Sequence, residues 1–246
     1  MGHFHIISGG KSIVISIKIS KLATNNDFKM ENALIKSESD YTNKYKQSTE
    51  NPERFWAEIA DNFTWFKKWD NVYKCNMKSA DFKWFEGAKT NISFNCIDRH
   101  LENKGDKTAI IFEPNNPNEE AKHISFKELH HEVCKMANVL LNNGIKKGDR
   151  VCIYLPMIPE LAIAVLACAR IGAIHSVVFA GFSSLALATR IQDCSCKIVI
   201  TSDGGYRGAK TLNLKKIVDN ALTDCKSIES VIVVKRTNED INMQNN

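Results

Sequence analysis

The chain has 246 residues, of which 43% are hydrophobic and 25% are charged, and its formal net charge is +5. These proportions are close to the average for globular proteins, which excludes collagen, a coiled coil or wholesale disorder as a description of the chain. Basic residues are scattered among acidic ones, so the sequence gives little support to nucleic-acid binding. The longest apolar run, residues 161–169, is too short to span a bilayer.

Residues 1–40 are predicted to form a disordered leader. No acidic residue precedes Asp27, and the lysines and serines there resemble an organellar transit peptide in composition. Arginine is absent, however, and residues 12–20 alternate with a period of two, which favours a strand over the amphipathic helix of such peptides. We therefore favour a leader without a targeting role, or a natural start at Met30. The cytoplasm is the expected compartment, with the mitochondrion as the alternative.

Eight cysteines are spread from Cys75 to Cys225. A chain of this length can fold without disulfides, and several of the cysteines lie in apolar segments, so reduced thiols are predicted. One close pair, Cys194 and Cys196, has a single intervening residue and no second pair nearby. That spacing does not match the usual zinc sites, and no metal site is predicted.

Residues 41–98 are rich in aromatic side chains. Asn51 can cap a helix with Pro52 in its first turn, and Phe55, Ile59 and Phe63 recur every four residues along it. Six further aromatics could form a binding surface, but we expect a core, which is where aromatic clusters usually lie. These six are Trp65, Phe66, Trp69, Phe82, Trp84 and Phe85.

A strand pair and a helix are predicted next. Residues 108–112 and 123–125 have the pattern of strands on either side of a turn rich in proline and asparagine. A capping box at residues 125–128 begins a helix that ends at residues 143–144. A solvated position is expected for His130 and His131, which have polar neighbours on this helix. One face of the helix carries the apolar residues Leu129, Val133, Met136, Ala137 and Leu140.

From residue 150 onward strands and helices alternate. The strands, rich in valine and isoleucine, are predicted at residues 150–155, 175–179, 197–201 and 231–234. Helices are predicted at residues 159–171 and 214–222, and a further helix is predicted to begin at Ser183 or Ser184. Such crossovers give a parallel sheet covered on both faces. The predicted fold is therefore α/β, an open, mostly parallel sheet with helices on both faces. The polar tail, residues 237–246, has no apolar periodicity, so we expect the fold to be truncated.

Three loops could bind a ligand, because ligands of open α/β sheets bind at the carboxyl ends of the strands. They are residues 156–159, 180–183 and 202–210. The third contains two glycines followed by Arg207 and Lys210. Glycines let the backbone approach a ligand, while the guanidinium and the ammonium can bind a phosphate. The alternative is a simple turn with two solvated charges. Dinucleotide, Walker A, esterase and zinc-protease motifs are all absent, so the residues alone predict only an anion-binding α/β domain.

Three segments carry a family resemblance: RVCIYLPMIPE at residues 150–160, LACARIGAIHSVVFAGFS at residues 166–183 and VITSDGGYRGAK at residues 199–210. They resemble the acetyl-coenzyme A synthetases, the AMP-forming acetate–CoA ligases. The similarity covers nearly everything from residue 41 to residue 236. It implies the adenylate-forming type of fold, with residues 41–99 as the family's N-terminal segment. Residues 100–246 would be an incomplete first part of the AMP-dependent synthetase/ligase domain.

The resemblance implies a reaction in two steps. Acetate and ATP give acetyl-adenylate and pyrophosphate, and the thiol of CoA then attacks the acyl carbon and releases AMP. The implied partners are acetate, CoA, and ATP with Mg²⁺, with no role for nucleic acid or a membrane. In this family the phosphate loop and the catalytic lysine come later in the chain. The sites for ATP and Mg²⁺ are therefore expected outside this chain, no residue here is expected to be catalytic, and the chain alone is expected to be inactive.

The resemblance also implies a CoA site on this chain. Ala180 and Ala209 in it stand where glycine is common in the family. Two alternatives stay open: a propionyl-CoA synthetase, and a non-catalytic module that binds CoA or another anion. The family's phosphate-contacting loop is matched by Arg207, Gly208, Ala209 and Lys210. Its second CoA contact is matched by Phe179, Ala180 and Gly181.

Overall fold

The computed structural model describes residues 4–8, 11–15, 33–208 and 210–243. The chain divides into two compact units, residues 1–60 and residues 61–246.

The first unit contains an antiparallel hairpin and two helices. The hairpin pairs β1 (Phe4–Ser8) with β2 (Lys11–Ile15), and the helices are α1 (Glu38–Glu50) and α2 (Pro52–Ala60). β2 coincides with the start of the predicted period-two strand, whereas residues 16–20 of that pattern and Met30 lie outside the described residues. The limits and the role of the leader stay predictions.

Asn51 separates the two helices. Its backbone N–H donates to the carbonyl oxygen of Gln47 at the end of α1, at 3.0 Å. Its side-chain oxygen accepts from the backbone nitrogen of Arg54 in the first turn of α2, at 3.2 Å. Pro52 needs no hydrogen-bond partner at this first helical position. The predicted cap and helix start are therefore confirmed.

The second unit begins with the antiparallel hairpin of β3 (Asn71–Asn76) and β4 (Asp81–Glu86). The short helix α3 (Ile92–Cys96), a 3-10 turn at Asp98–His100 and the helix α4 (Leu101–Lys104) follow.

The prediction that the aromatic cluster is core is wrong for three members: Phe66, Phe82 and Trp84 are 60%, 50% and 46% exposed. β3 and β4 form a two-stranded sheet on their own, and such a sheet cannot bury both of its faces. The other three members, Trp65, Trp69 and Phe85, pack against one another.

The next elements are β5 (Thr108–Phe112), β6 (Lys122–Ser125) and the long helix α5 (Phe126–Asn142). β5 and β6 pair antiparallel, and Ser125 and Glu128 form the predicted capping box. Four residues of the predicted apolar face are buried, namely Leu129, Val133, Ala137 and Leu140.

The two histidines of α5 differ. His131 is exposed, as predicted. His130 is not on a solvated face, because its Nε2 lies 3.4 Å from Oδ1 of Asp98. That carboxylate also accepts from the guanidinium of Arg170. A neighbour from the preceding 3-10 turn thus partly covers His130, which the sequence of α5 alone could not indicate.

The central sheet has four parallel strands in the order β12-β9-β7-β8. The strands and helices after α5 are, in chain order, β7 (Arg150–Tyr154), α6 (Pro159–Ile171), β8 (Ile174–Val177), α7 (Ser184–Cys194), β9 (Ile198–Ser202), β10 (Gly205–Arg207), β11 (Lys210–Leu212), α8 (Leu214–Leu222) and β12 (Ser230–Val234). The predicted parallel α/β sheet is confirmed, with strand bounds shifted by one to two residues.

Hydrophobic residues form two cores, one on each face of this sheet. On one face, Val151 and Ile153 of β7 pack with residues of α5 and α6. On the other face, Cys152 and Tyr154 pack with residues of α7 and α8. Successive residues of a strand point to opposite faces, which is why β7 contributes to both cores. The prediction of helices on both faces is therefore confirmed.

All eight cysteines are free, and four of them are buried. Burial raises the pKa of Cys152 and of Cys168 to about 12. These thiols thus behave as small apolar core residues. No helix in the described part of the chain is long and apolar enough to cross a membrane.

Candidate functional site

A pocket of about 350 Å³ lies at the carboxyl edge of the central sheet. Its lining comes from the segments that follow β7, β8, β9 and β12, together with the end of β5. All three loops that were expected to bind a ligand, residues 156–159, 180–183 and 202–210, therefore meet at this pocket. The residues that line the pocket include Phe112, Phe179, Ala180, Gly181, Tyr206, Arg207 and Arg236.

Residues 179–181 form a tight turn just after β8. The backbone N–H of Phe182 donates to the carbonyl oxygen of Phe179 at 3.0 Å. The hydroxyl of Tyr154 donates to the carbonyl oxygen of Phe182 at 2.7 Å and so ties the turn to β7. A Cβ atom on Gly181 would lie 2.5 Å from Cε1 of Phe179. Glycine therefore allows the Phe179 ring, which is 67% exposed, to lie across the turn beside the pocket.

The glycine-rich segment is a hairpin of β10 and β11 rather than an open loop. Its three residue pairs include Arg207 opposite Lys210. Gly208 in the turn has a φ of 59°, in the left-handed region that glycine tolerates. A two-residue turn that begins with glycine is a known hairpin signal, so the sequence carried this information. Ala209, the other turn residue, lies outside the described residues.

Arg207 and Lys210 point to the same side of the hairpin, because residues directly opposite in an antiparallel pair share a face. Arg207 lines the pocket. Lys210 is exposed and is not among the lining residues. Within residues 33–208 and 210–243, neither cation has an ion-pair partner. The hairpin thus presents two unpaired positive charges beside the pocket.

Asp203 is a central residue of the site that sequence reasoning missed. It is fully buried, and its carboxylate accepts hydrogen bonds from four backbone N–H groups at 2.7 to 3.2 Å. These belong to Gly204 at the base of the hairpin and to Arg236, Thr237 and Asn238 after β12. Burial alone would raise the pKa of Asp203, but the four hydrogen bonds outweigh it and lower that pKa.

Arg236 was also missed. Its guanidinium donates to the carboxylate of Glu119, with Nη1 at 3.0 Å from Oε1. It lies over the ring of Phe112 at 5.5 Å and over the ring of Tyr206 at 5.1 Å. The hydrogen bond from Arg236 lowers the pKa of Glu119. The Glu119 and Arg236 partners are 117 residues apart, so no local pattern could have revealed them.

Among the described residues, no three His, Cys, Asp or Glu side chains lie close enough together to hold a metal ion.

The sequence matches two family models. Residues 97–245 match the model described as AMP-binding enzyme, and residues 41–96 match acetyl-coenzyme A synthetase N-terminus. The first match covers more than half of the chain. The chain belongs to the AMP-binding enzyme family. The family resemblance that was predicted over nearly all of residues 41–236 is therefore confirmed.

Curated relatives of this chain are named acetyl-coenzyme A synthetase. The one from Alkalilimnicola ehrlichii is 52% identical over 216 residues, which is 87% of this chain and 33% of the relative. The one from Leptospira biflexa serovar Patoc is 55% identical over 206 residues, which is 83% of this chain and 31% of the relative. The chain thus spans about a third of the length of these relatives.

A solved structure supports the fold of this chain. Acetoacetyl-CoA synthetase from Streptomyces lividans superimposes with a TM-score of 0.77, covering 86% of this chain and 32% of that one. The sequences are 22% identical, so the likeness establishes the fold alone.

Proposed function

We propose that this chain forms the first part of an acetate–CoA ligase and supplies part of its CoA site. The sequence identity to proteins named acetyl-coenzyme A synthetase supports the reaction. In that reaction acetate attacks the α-phosphorus of ATP, which gives acetyl-adenylate and releases pyrophosphate. The CoA thiolate then attacks the acyl carbon, and AMP leaves as the thioester forms. ATP would enter as its Mg²⁺ complex.

The CoA site has two parts in this proposal. Arg207, with Lys210 beside it and the backbone of Gly208 and Ala209 between them, would bind a phosphate of CoA. Residues 179–181 would contact another part of CoA from across the pocket. The observation that carries this assignment is that the pocket joins Arg207 to residues 179–181, although the two segments lie 26 or more residues apart in the sequence.

Arginine suits the phosphate role better than lysine does. Its planar guanidinium can donate two parallel hydrogen bonds to one phosphate, whereas the lysine ammonium acts as a point charge. Arg207 also lines the pocket, and Lys210 does not. We therefore expect Arg207 to contribute more to CoA affinity than Lys210.

The test uses the protein that contains this chain and measures the two half-reactions separately. Loss of a charge-assisted hydrogen bond weakens binding roughly tenfold to a hundredfold. The Arg207→Ala variant should raise the KM for CoA by that factor. Acetate-dependent exchange of pyrophosphate into ATP should stay near the wild-type rate, because adenylation precedes CoA entry.

The Arg54→Ala variant is the control, since Arg54 is an exposed arginine that pairs with Glu58 in α2. It should leave both half-reactions unchanged. Equal losses in both half-reactions for Arg207→Ala, or no change in either, would remove Arg207 from the CoA site.

A further inference from the structure

The β10–β11 hairpin has little support of its own. It consists of three residue pairs and forms a separate two-stranded sheet. An isolated hairpin of this size is at best marginally stable in water. The orientation of Arg207 and Lys210 therefore depends on contacts made by other segments.

The loop between β5 and β6, residues 113–121, supports the hairpin directly at its tip and indirectly, through Arg236, at its side. Nδ2 of Asn115 donates to the carbonyl oxygen of Gly208 in the turn, at 2.9 Å. Glu119 from the same loop holds Arg236, whose guanidinium lies over the ring of Tyr206 in β10. Two residues of one loop thus act on the hairpin.

Arg236 connects this loop to the base of the hairpin as well. Its backbone N–H donates to Oδ1 of Asp203 at 2.7 Å, and Asp203 also accepts from Gly204. Its side chain is only 16% exposed. One residue therefore contacts the acid at the hairpin's base, the ring at its centre and the carboxylate of the supporting loop.

Arg236 differs from the two hairpin cations, Arg207 and Lys210, because its charge is paired with an acidic side chain. The Glu119 carboxylate neutralises its guanidinium, whereas Arg207 and Lys210 have no acidic partner among the described residues. We propose that Arg236 is a positioning residue, which holds the β10–β11 hairpin through Tyr206 and Glu119 so that Arg207 faces the pocket. The consequence for CoA rests on the function proposed above.

A competing role for Arg236 is direct binding of an anionic ligand, because it also lines the pocket. The two roles predict opposite effects of the Glu119→Gln substitution. If Arg236 positions the hairpin, loss of the carboxylate loosens it and weakens CoA binding. If Arg236 is itself a phosphate ligand, loss of the competing carboxylate frees its charge and strengthens CoA binding.

The first measurement is amide hydrogen exchange in the protein that contains this chain, without any ligand. Glu119→Gln and Arg236→Lys should both speed exchange at residues 205–212 at least several-fold, while β9 keeps its wild-type protection. Glu58→Gln is the matched control, because it removes the carboxylate of an exposed Arg–Glu pair in α2. Unchanged exchange in the hairpin of both variants would refute the positioning role.

The second measurement is the Kd for CoA of the same variants. Glu119→Gln and Arg236→Lys should each weaken binding about threefold to tenfold, the size of a lost partly buried cation–π contact or ion pair. Tighter binding by Glu119→Gln would contradict the proposal and make Arg236 a ligand. Failure of the proposed function gives a different result. The Arg207→Ala variant would then bind CoA as tightly as the wild type, while Glu119→Gln and Arg236→Lys would still speed hydrogen exchange in the hairpin.

Discussion

The hydroxyl of Tyr154 lies 2.7 Å from the carbonyl oxygen of Phe182, so a residue of the central strand β7 holds the turn that follows its neighbour β8. Tyr154 is fully buried in the core shared with α7 and α8. Burial raises the pKa of its phenol, so the hydroxyl stays protonated and keeps its role as donor. The position of residues 179–181 beside the pocket therefore depends on a core residue.

The Tyr154→Phe substitution removes this hydrogen bond and keeps the packing of the ring. We expect it to lower the free energy of unfolding by about 1 to 2 kcal/mol, because the carbonyl of Phe182 loses a partner in a partly buried position. Chemical denaturation measures the effect. Tyr41→Phe, at a position that is 57% exposed, should change stability by less than about 0.5 kcal/mol. Equal values for the two variants would show that the hydroxyl contributes nothing.

The Asp203→Asn substitution tests the acid at the base of the hairpin. One acceptor oxygen becomes an NH₂ group that faces backbone N–H donors, and the charge that strengthens the remaining bonds is lost. We expect a loss of about 3 kcal/mol in the free energy of unfolding. Asp193→Asn, on the exposed side of α7, is the matched control and should stay close to wild type. A stability within error of the control would contradict the assigned role.

Acid should destabilise the site. The pKa of Glu119 is lowered chiefly by the hydrogen bond from Arg236, and that of Asp203 is lowered by backbone N–H donors despite its burial. A carboxyl whose pKa is lower when folded contributes stability above its unfolded pKa and loses it as the pH falls through the folded pKa. We expect the stability contributed by these two carboxylates to be constant from about pH 7 to 5 and to fall below about pH 4.

The Glu119→Gln variant should show a shallower fall over the same acid range, measured by denaturation at several pH values. The Arg236→Gln variant removes the other partner and should lose the same share of the pH dependence. A slope identical to wild type in both variants would mean that the pair contributes nothing to acid sensitivity.

Thiol reactivity should follow burial. Cys75 and Cys96 are exposed, whereas Cys152 and Cys168 are buried and burial raises the pKa of each to about 12. Because the thiolate is the reactive form, iodoacetamide at about pH 8 should label the exposed pair and spare the buried pair. Mass spectrometry of the peptides reads the result. Unfolding in denaturant should expose all four to labelling, and equal labelling of the folded protein would refute the burial of Cys152 and Cys168.

Local patterns predicted much of this fold. The capping box at Ser125 and Glu128 and the proline at the start of α6 mark helix starts by contacts within one turn. The apolar strands of the sheet were equally readable, because both faces of a parallel sheet are buried. The rule that ligands bind at the carboxyl ends of such strands then indicated the loops that form the pocket.

Contacts between distant segments were not predictable. Asp203 is followed by two glycines and resembles any turn residue in the sequence. Its carboxylate oxygens nevertheless accept hydrogen bonds from backbone N–H groups that lie 33 to 35 positions later in the chain. Phe82 and Trp84 are aromatic residues of the kind that usually lie in a core. Whether a second layer of structure covers their strand, however, depends on the tertiary structure. Their exposure could not be read from the residues themselves.

The strand order of the central sheet explains why the pocket lies where it does. From β7 the chain crosses to β8 on one side and then passes over to β9 on the other side of β7. The connecting helices α6 and α7 consequently belong to opposite faces of the sheet. The segments that leave β7 and β9 diverge above the sheet, and a crevice opens between them at this reversal of strand order. The cleft is thus set by connectivity, and side chains such as Phe179 and Arg207 determine only what it can bind.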